Sequence, residues 1–237
     1  MMYSNEYEEI EMSKVKYLTV DDDVNVFVVG DIHGEYSKLI NELNVIGFDY
    51  SKDLLIGVGD LVDRGKENEK CVGLLNECWF TTVRGNHEQF CIDGLIDSTS
   101  AFYHKMDNNG GAWFYQQPED IQECIAKMFS ELPIMLEVKY KGKKYGFVHA
   151  NLPYQDWEHV KSCLENSDDL DSGRSIESNC LWSRDIINSM SDIEIAQVDE
   201  VFFGHTPLHN PVKLGNCNFV DTGAVFGGKL TIVKLGN

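Results

Sequence analysis

What this sequence lacks narrows the field before any motif is read. No apolar run approaches the roughly 20 residues a membrane-spanning helix needs, and the opening MMYSNEYEEIEMSK is acidic and polar, unlike a basic leader with an apolar segment behind it. The expectation is a protein that stays in the cytoplasm where it is made. The seven cysteines, at 71, 78, 91, 124, 163, 180 and 217, form no CxxC pair. That pattern fits neither a zinc ribbon nor a disulfide scaffold, and reduced, buried thiols are expected.

Basic residues are scarce as well: 20 Lys and Arg stand against 39 Asp and Glu, for a formal charge of -19. Such a chain repels a nucleic-acid backbone and lacks the basic patch that binding one requires, so no nucleic-acid partner is expected. An acidic surface also repels phosphorylated small molecules. Phosphate chemistry here would need a locally positive site built from metal ions and a few arginines.

What is present is a folding chain. Hydrophobic residues make up 43% and aromatics 11%, with only five prolines, which argues against disorder. A length of 237 residues can bury one substantial core, and a single domain over 1–237 is expected.

Residues 15–20 and 24–29 read as strands joined by the turn-like cluster Asp21, Asp22 and Asp23, a predicted hairpin. Residues 36–46 carry Leu39, Ile40, Leu43 and Ile46 at helical spacing before Gly47. The pattern repeats: strand 54–58 into GDLVDRG, helix 67–78, strand 80–83 into GNHE, then another helical run. Residues 118–131 read as a helix with Ile121, Ile125 and Met128 on one face. Beyond it the chain is richer in strands, at 134–138, 144–148, 201–203, 218–220 and 230–233.

Alternating strands and helices predict an α/β fold, a sandwich of two mixed sheets packed together and flanked by helices. Residues 166–178, NSDDLDSGRSIES, read as an exposed acidic loop that lacks the ligand pattern of an EF-hand. Gly57 and Gly59 lack the third glycine of a dinucleotide loop, and the spacing around Lys66 is wrong for a P-loop.

Chemistry-bearing residues collect at the ends of the apolar runs. GDIHG supplies Asp31 and His33, GDLVDRG supplies Asp60, and GNHE supplies Asn86 and His87; His149 ends YGFVHA and His205 ends VFFGHTP. One such histidine alone is as well explained by a structural hydrogen bond. Five motifs in one order are not, because buried aspartates and histidines are costly unless they share a partner, and a metal pair supplies one. Carboxylates, imidazoles and an amide oxygen suit Mn²⁺, Fe or Zn²⁺ better than Ca²⁺. His104, His159 and His209 lie outside the motifs and read as ordinary surface or structural histidines.

These residues resemble the metallophosphoesterases of the phosphoprotein phosphatase type, in their bacteriophage lambda-like branch. Besides the motifs, GFDYSKDLLIGVGDLVDRG, VRGNHEQ, ELPIMLEV, FGHTP and VDTGAVF carry the likeness over roughly residues 24–234. The resemblance implies a calcineurin-like fold and a phosphatase for phosphorylated proteins or peptides in a bacterial cell. It implies Asp31 and His33 as ligands of a first metal, Asp60 shared by two, and Asn86, His149 and His205 for the second, with Mn²⁺ expected.

Arg64 and Arg184 match the two phosphate-holding arginines, His87 the general acid and Asp63 the carboxylate that orients it. The implied reaction is in-line attack on phosphorus by a hydroxide bridging two metals, which such a pair can generate at neutral pH. The segment NNGGAWF at 108–114 is expected to shape the entrance to the site, although a surface turn followed by a packed Trp113 reads equally well.

Two other readings compete. A diadenosine tetraphosphate hydrolase of the same superfamily shares several motifs, but Asp63 and Glu88 favour the protein phosphatase. A non-catalytic metal-binding scaffold would not need the Asp63–His87 pair or two arginines.

Overall fold

The computed structural model describes residues 13–166 and 175–236. Positions 1–12 of the acidic opening read above, and positions 167–174 of the acidic stretch, lie outside these described residues. In chain order the strands are β1 Val15–Thr19, β2 Val26–Val29, β3 Leu54–Gly57, β4 Phe80–Thr82, β5 Met135–Tyr140, β6 Lys143–Val148, β7 Glu200–Phe203, β8 Val212–Leu214, β9 Cys217–Phe219 and β10 Ile232–Lys234. The helices are α1 Tyr36–Val45, α2 Asn68–Gly73, α3 Asn86–Ile96, α4 Ser98–His104, α5 Glu119–Ser130, α6 Trp157–Glu165, α7 Ile176–Trp182 and α8 Asp185–Ser189.

Two mixed sheets form. One runs β10-β2-β3-β4, the other β1-β5-β6-β7-β9-β8. Alternation along the strands explains why they stack. In β2, Val26 and Val28, with Ile56 of the neighbouring β3, face the other sheet and pack in one cluster with its Leu136, Phe147 and Phe202, while Phe27 and Val29 cluster with Leu39, Leu43 and Phe129 of the helices. The outer face of the larger sheet is covered in the same way, with Val201 and Phe203 packing among Trp157, Val160 and Cys180. The expected α/β sandwich is therefore a four-layer stack. Emptying the layer between the sheets, as in Phe147→Ala, would cost about 3–5 kcal/mol.

The predicted hairpin does not form. β1 pairs in parallel with β5, Val15 opposite Met135, whereas β2 lies between β10 and β3 in the other sheet. The reason is in the side chains: all of VFVV is buried, whereas only Val15 of β1 is. A strand apolar on both faces needs a cover on each, so β2 takes a central place and β1 an edge. The triple-aspartate turn thus crosses between sheets.

Other differences are local. The helix expected over 67–78 stops at Gly73 and continues as a 3-10 turn, Leu74–Asn76. In α5 the buried face is Ile125, Ala126 and Phe129, leaving Ile121 exposed. The strand β8 and the helices α6 and α8 had no counterpart in the sequence reading, and α7 begins at Ile176, inside the stretch read as an exposed loop, because Ile176 packs into the core.

Candidate metal centre and active site

Parallel strands bring their carboxyl ends to one edge of a sheet, and loops leaving that edge converge. Asp31 and His33 follow β2, Asp60 to Arg64 follow β3, and Asn86 and His87 open α3 directly after β4. The second sheet contributes His149 after β6 and His205 after β7, which also pair in parallel. The two sheets meet here: His205 Nδ1 and His149 Nε2 lie 2.8 Å and 2.9 Å from Asn86 Oδ1.

Asp60 is central. Donor atoms of His33, Asp60 and His87 lie within 4.8 Å of one another, as do those of Asp60, His149 and His205. His33 Nε2 is 3.4 Å from Asp60 Oδ2, and His149 Nε2 is 3.4 Å from Asp60 Oδ1, so each carboxylate oxygen faces a different group. The structure brings all six expected ligands to this edge, with one departure: the first group closes on His87 and not on Asp31. Asp31 sits just behind, accepting the His205 N–H on Oδ2 at 3.0 Å, while its buried Oδ1 has no hydrogen-bond partner.

That orphan oxygen tests whether the residues fit a metal pair. An unpaired buried carboxylate oxygen is expensive unless a cation meets it. The imidazoles agree. His33 Nδ1 donates to the Val62 carbonyl at 2.7 Å, His149 Nδ1 to Val58 at 2.8 Å, and His205 Nε2 to Trp182 at 3.2 Å. With one nitrogen of each ring fixed on a backbone carbonyl, the other nitrogen turns its lone pair inward, as metal-binding histidines require. At His33 that lone pair meets the Arg64 guanidinium, a cation standing where an ion would bind. The donor set fits two divalent ions.

The electrostatics show the same demand. Burial, with Asp221 and Asp60 nearby, raises Asp31 well above the ordinary carboxylate range. Burial also raises Asp60, but His149, His87 and His33 outweigh it and hold this carboxyl well below its usual value. His33 falls to about 3 and His205 to about 2, in both cases chiefly through burial. Burial opposes protonation of His149 too, yet Asp60 raises it. These imidazoles are therefore poised unequally around one carboxylate.

The backbone carries strain at the same place. Of the eight described non-glycine residues with positive φ, five are His33, Asp60, Asp63, Arg64 and His205. Left-handed backbone costs such residues energy and persists where surrounding contacts enforce it. One enforcing contact is Glu88, whose carboxylate accepts the N–H groups of Asp60, Leu61 and Gly85 at 2.9, 2.8 and 2.8 Å.

The expected phosphate and proton groups face the same space. Asp60, Arg64, Asn86, His87, Arg184 and His205 line a cavity of about 300 Å³, together with Asn108, Asn109 and Trp182. A larger recess of about 550 Å³, lined in part by His209, Phe226 and Lys229, holds none of the expected ligands. His87 Nδ1 lies 2.7 Å from Asp63 Oδ2, leaving Nε2 as the ring's open nitrogen. Burial opposes ionisation of Asp63, but hydrogen bonds from His104 and His87 bring it down to about 2.

Sequence reasoning missed three residues here. His104 is not an ordinary surface histidine: it is fully buried, with Nε2 2.7 Å from Asp63 Oδ2. Its partner lies 41 positions away, so no local signal marked it. Asp221, buried beside Asp31 and Asp60, follows the apolar end of β9 in VDTG, the same strand-end signature that marked Asp31. Glu88 had been read for its identity and not for its three backbone contacts. His159 and His209 are exposed, as expected. The NNGGAWF segment lines the cavity through Asn108 and Asn109, where Asn108 O accepts Arg64 Nε–H at 3.1 Å, and behind it Trp113 Nε1–H donates to the buried Asp63 Oδ1 at 2.6 Å.

Comparison with known proteins agrees with this geometry. A family model described as calcineurin-like phosphoesterase matches residues 24–226. The serine/threonine-protein phosphatase 1 of Salmonella typhimurium is 38% identical over 215 residues, 89% of this chain and 92% of that one. An asymmetrical bis(5'-nucleosyl)-tetraphosphatase of Halalkalibacterium halodurans is 24% identical, over 87% of this chain and 88% of that one. The solved structure of a protein serine/threonine phosphatase from Saccharomyces cerevisiae shares the fold at a TM-score of 0.59 and 19% identity, over 88% of this chain and 71% of that one. With its strand-end donors, its sandwich and the family match over most of its length, the chain belongs to the calcineurin-like phosphoesterases.

Proposed function

We propose that this protein is a metal-dependent serine/threonine protein phosphatase of the lambda-like branch, hydrolysing phosphomonoesters on phosphorylated proteins and peptides with Mn²⁺ as its metal. The reading takes 1–237 as one catalytic domain in the cytoplasm of a bacterial cell, in line with the bacterial relatives. The observation that carries it is Asp60 standing between two donor groups at a cavity also lined by two arginines and by His87, which the buried Asp63 holds from behind. The 38% identity to a serine/threonine phosphatase, against 24% to a dinucleotide hydrolase, supports the substrate class.

In this reading Asp31, His33 and Asp60 hold one ion, and Asp60, Asn86, His149 and His205 the other. When bound, the pair supplies Lewis acidity and activates water near neutral pH. Arg64 and Arg184 offer planar forks to the phosphate oxygens, a geometry lysine does not reproduce. His87 gives its proton to the serine or threonine oxygen as that oxygen leaves, help worth roughly 10² to 10⁴ in rate. Asp63 keeps the imidazole turned for that transfer.

Nitrogen and oxygen donors accept iron and zinc as well as manganese, so loading experiments decide the metal. The deciding test compares kcat/KM for a phosphoserine peptide and for diadenosine tetraphosphate on one Mn²⁺-loaded preparation. A strong preference for the peptide is expected. A preference for the dinucleotide would overturn the substrate class and show Asp63 and Glu88 to be poor discriminators.

A further inference from the structure

The carboxylate of Asp63 is wholly buried and takes three N–H donors, of which His87 is only one. His104 Nε2 reaches the same oxygen, Oδ2, at 2.7 Å, and the Trp113 indole takes Oδ1 at 2.6 Å. A carboxylate can only accept, so His104 carries its proton on Nε2. Its Nδ1 lies 3.0 Å from the Tyr115 hydroxyl, a hydrogen-bonding partner on the ring's other nitrogen.

The His104 ring cannot easily turn. It stacks on Phe90, centroids 5.3 Å apart and planes 10° from parallel, and Gly111 packs so tightly against the ring that a Cβ there would sit 1.9 Å from His104 Cδ2. Both donors come from one segment, the end of α4 and the turn after it. The same segment supplies Asn108 O to Arg64.

We propose that His104 is a positioning residue: by fixing Asp63 it aims His87 at the departing oxygen. This rests on the reading of His87 as the group that protonates the leaving group. A carboxylate with one donor could swing about its χ2; one held by three donors on two oxygens has a single orientation, and the ring that leans on it inherits that orientation. His104 makes no contact with substrate in this account. Its effect should therefore scale with how much the leaving oxygen needs a proton.

The test is a series of substituted phenyl phosphates, of similar size but with phenols of increasing pKa, hydrolysed by the metal-loaded wild type, His104→Gln and His104→Asn. The Gln amide nitrogen can occupy the place of Nε2, whereas the shorter Asn reaches only the place of Nδ1. Gln is expected to keep the wild-type dependence of kcat on phenol pKa. Asn is expected to steepen it, losing about 10-fold to 100-fold more on the least acidic phenol than on the most acidic, within the range of general acid catalysis.

Equal losses across the series in Asn, or equal slopes in Gln and Asn, would overturn the proposal and leave His104 a structural residue. Unfolding midpoints of the two variants serve as the stability control. The series contains no protein substrate, so failure of the phosphoserine reading would appear in the peptide assay and leave this comparison standing.

Discussion

Glu88 Oε2 accepts the backbone N–H of Asp60 at 2.9 Å. The residue shared by the two donor groups is thus held by a fully buried carboxylate. Burial, with Asp60 nearby, raises Glu88 from its ordinary 4.5 to about 7. A carboxyl with a raised folded pKa binds its proton more tightly in the folded state. Its stabilising contribution is complete below about 4.5 and is lost as pH rises through about 7. In chelator-treated protein, the unfolding free energy of the wild type should therefore fall relative to Glu88→Gln between about pH 5 and pH 8. Urea unfolding at both pH values measures this, and a constant difference between the two proteins would refute it.

The Asp63–His87 hydrogen bond at 2.7 Å leads to a different kind of prediction. His87→Asn should retain the wild-type metal content while kcat on a phosphoserine peptide falls by roughly 10² or more. Elemental analysis and steady-state kinetics on the same sample decide it. Full activity in this variant would remove His87 from the mechanism.

Asp60 presents one oxygen to each donor group, so Asp60→Asn should weaken both ions together and not one alone. Asparagine tolerates the left-handed backbone at φ 50, which keeps the comparison free of a folding artefact. Metal content after gel filtration is the readout. A variant that keeps one of two ions at full occupancy would contradict the shared role.

Gly110 has φ 76, and a Cβ there would sit 2.4 Å from the backbone nitrogen of Arg64. Gly110→Ala should cost about 1–2 kcal/mol for the left-handed conformation alone, and should also push Arg64 out of place. Thermal unfolding should show the first effect. A raised KM with little change in kcat should show the second.

Much of this site was legible because its residues announce themselves locally. An apolar run ending in a polar metal-binding residue type, directly or after a glycine, is a strong sign of a strand emptying its polar end into a shared space, and Asp31, Asp60, His149 and His205 all carry it, with Asn86 in the related VRGN. Asp221 carries it too and went unread, since one more aspartate added nothing to the motif pattern. The hairpin was misread because periodicity describes the faces of a strand and not its neighbours; the fully apolar VFVV was the better clue to a central position. His104 was out of reach of any such reading. Its meaning comes from Asp63, 41 positions away, and long-range pairing of that kind leaves no trace in local spacing.

The donor set also has an order in time. Asp31 and His205, joined by a 3.0 Å hydrogen bond, are 174 positions apart, and Asn86 and His149 are 63 apart. A growing polypeptide releases Asp31, His33, Asp60 and Asn86 from the ribosome well before the second sheet exists to answer them. Contacts of such separation form late. On the proposed ligand set, full-strength ion capture would wait until His205 has emerged and the sheets have docked. A product truncated before that point would carry half a chelator, and an occupied metal pair would mark a polypeptide synthesised past His205.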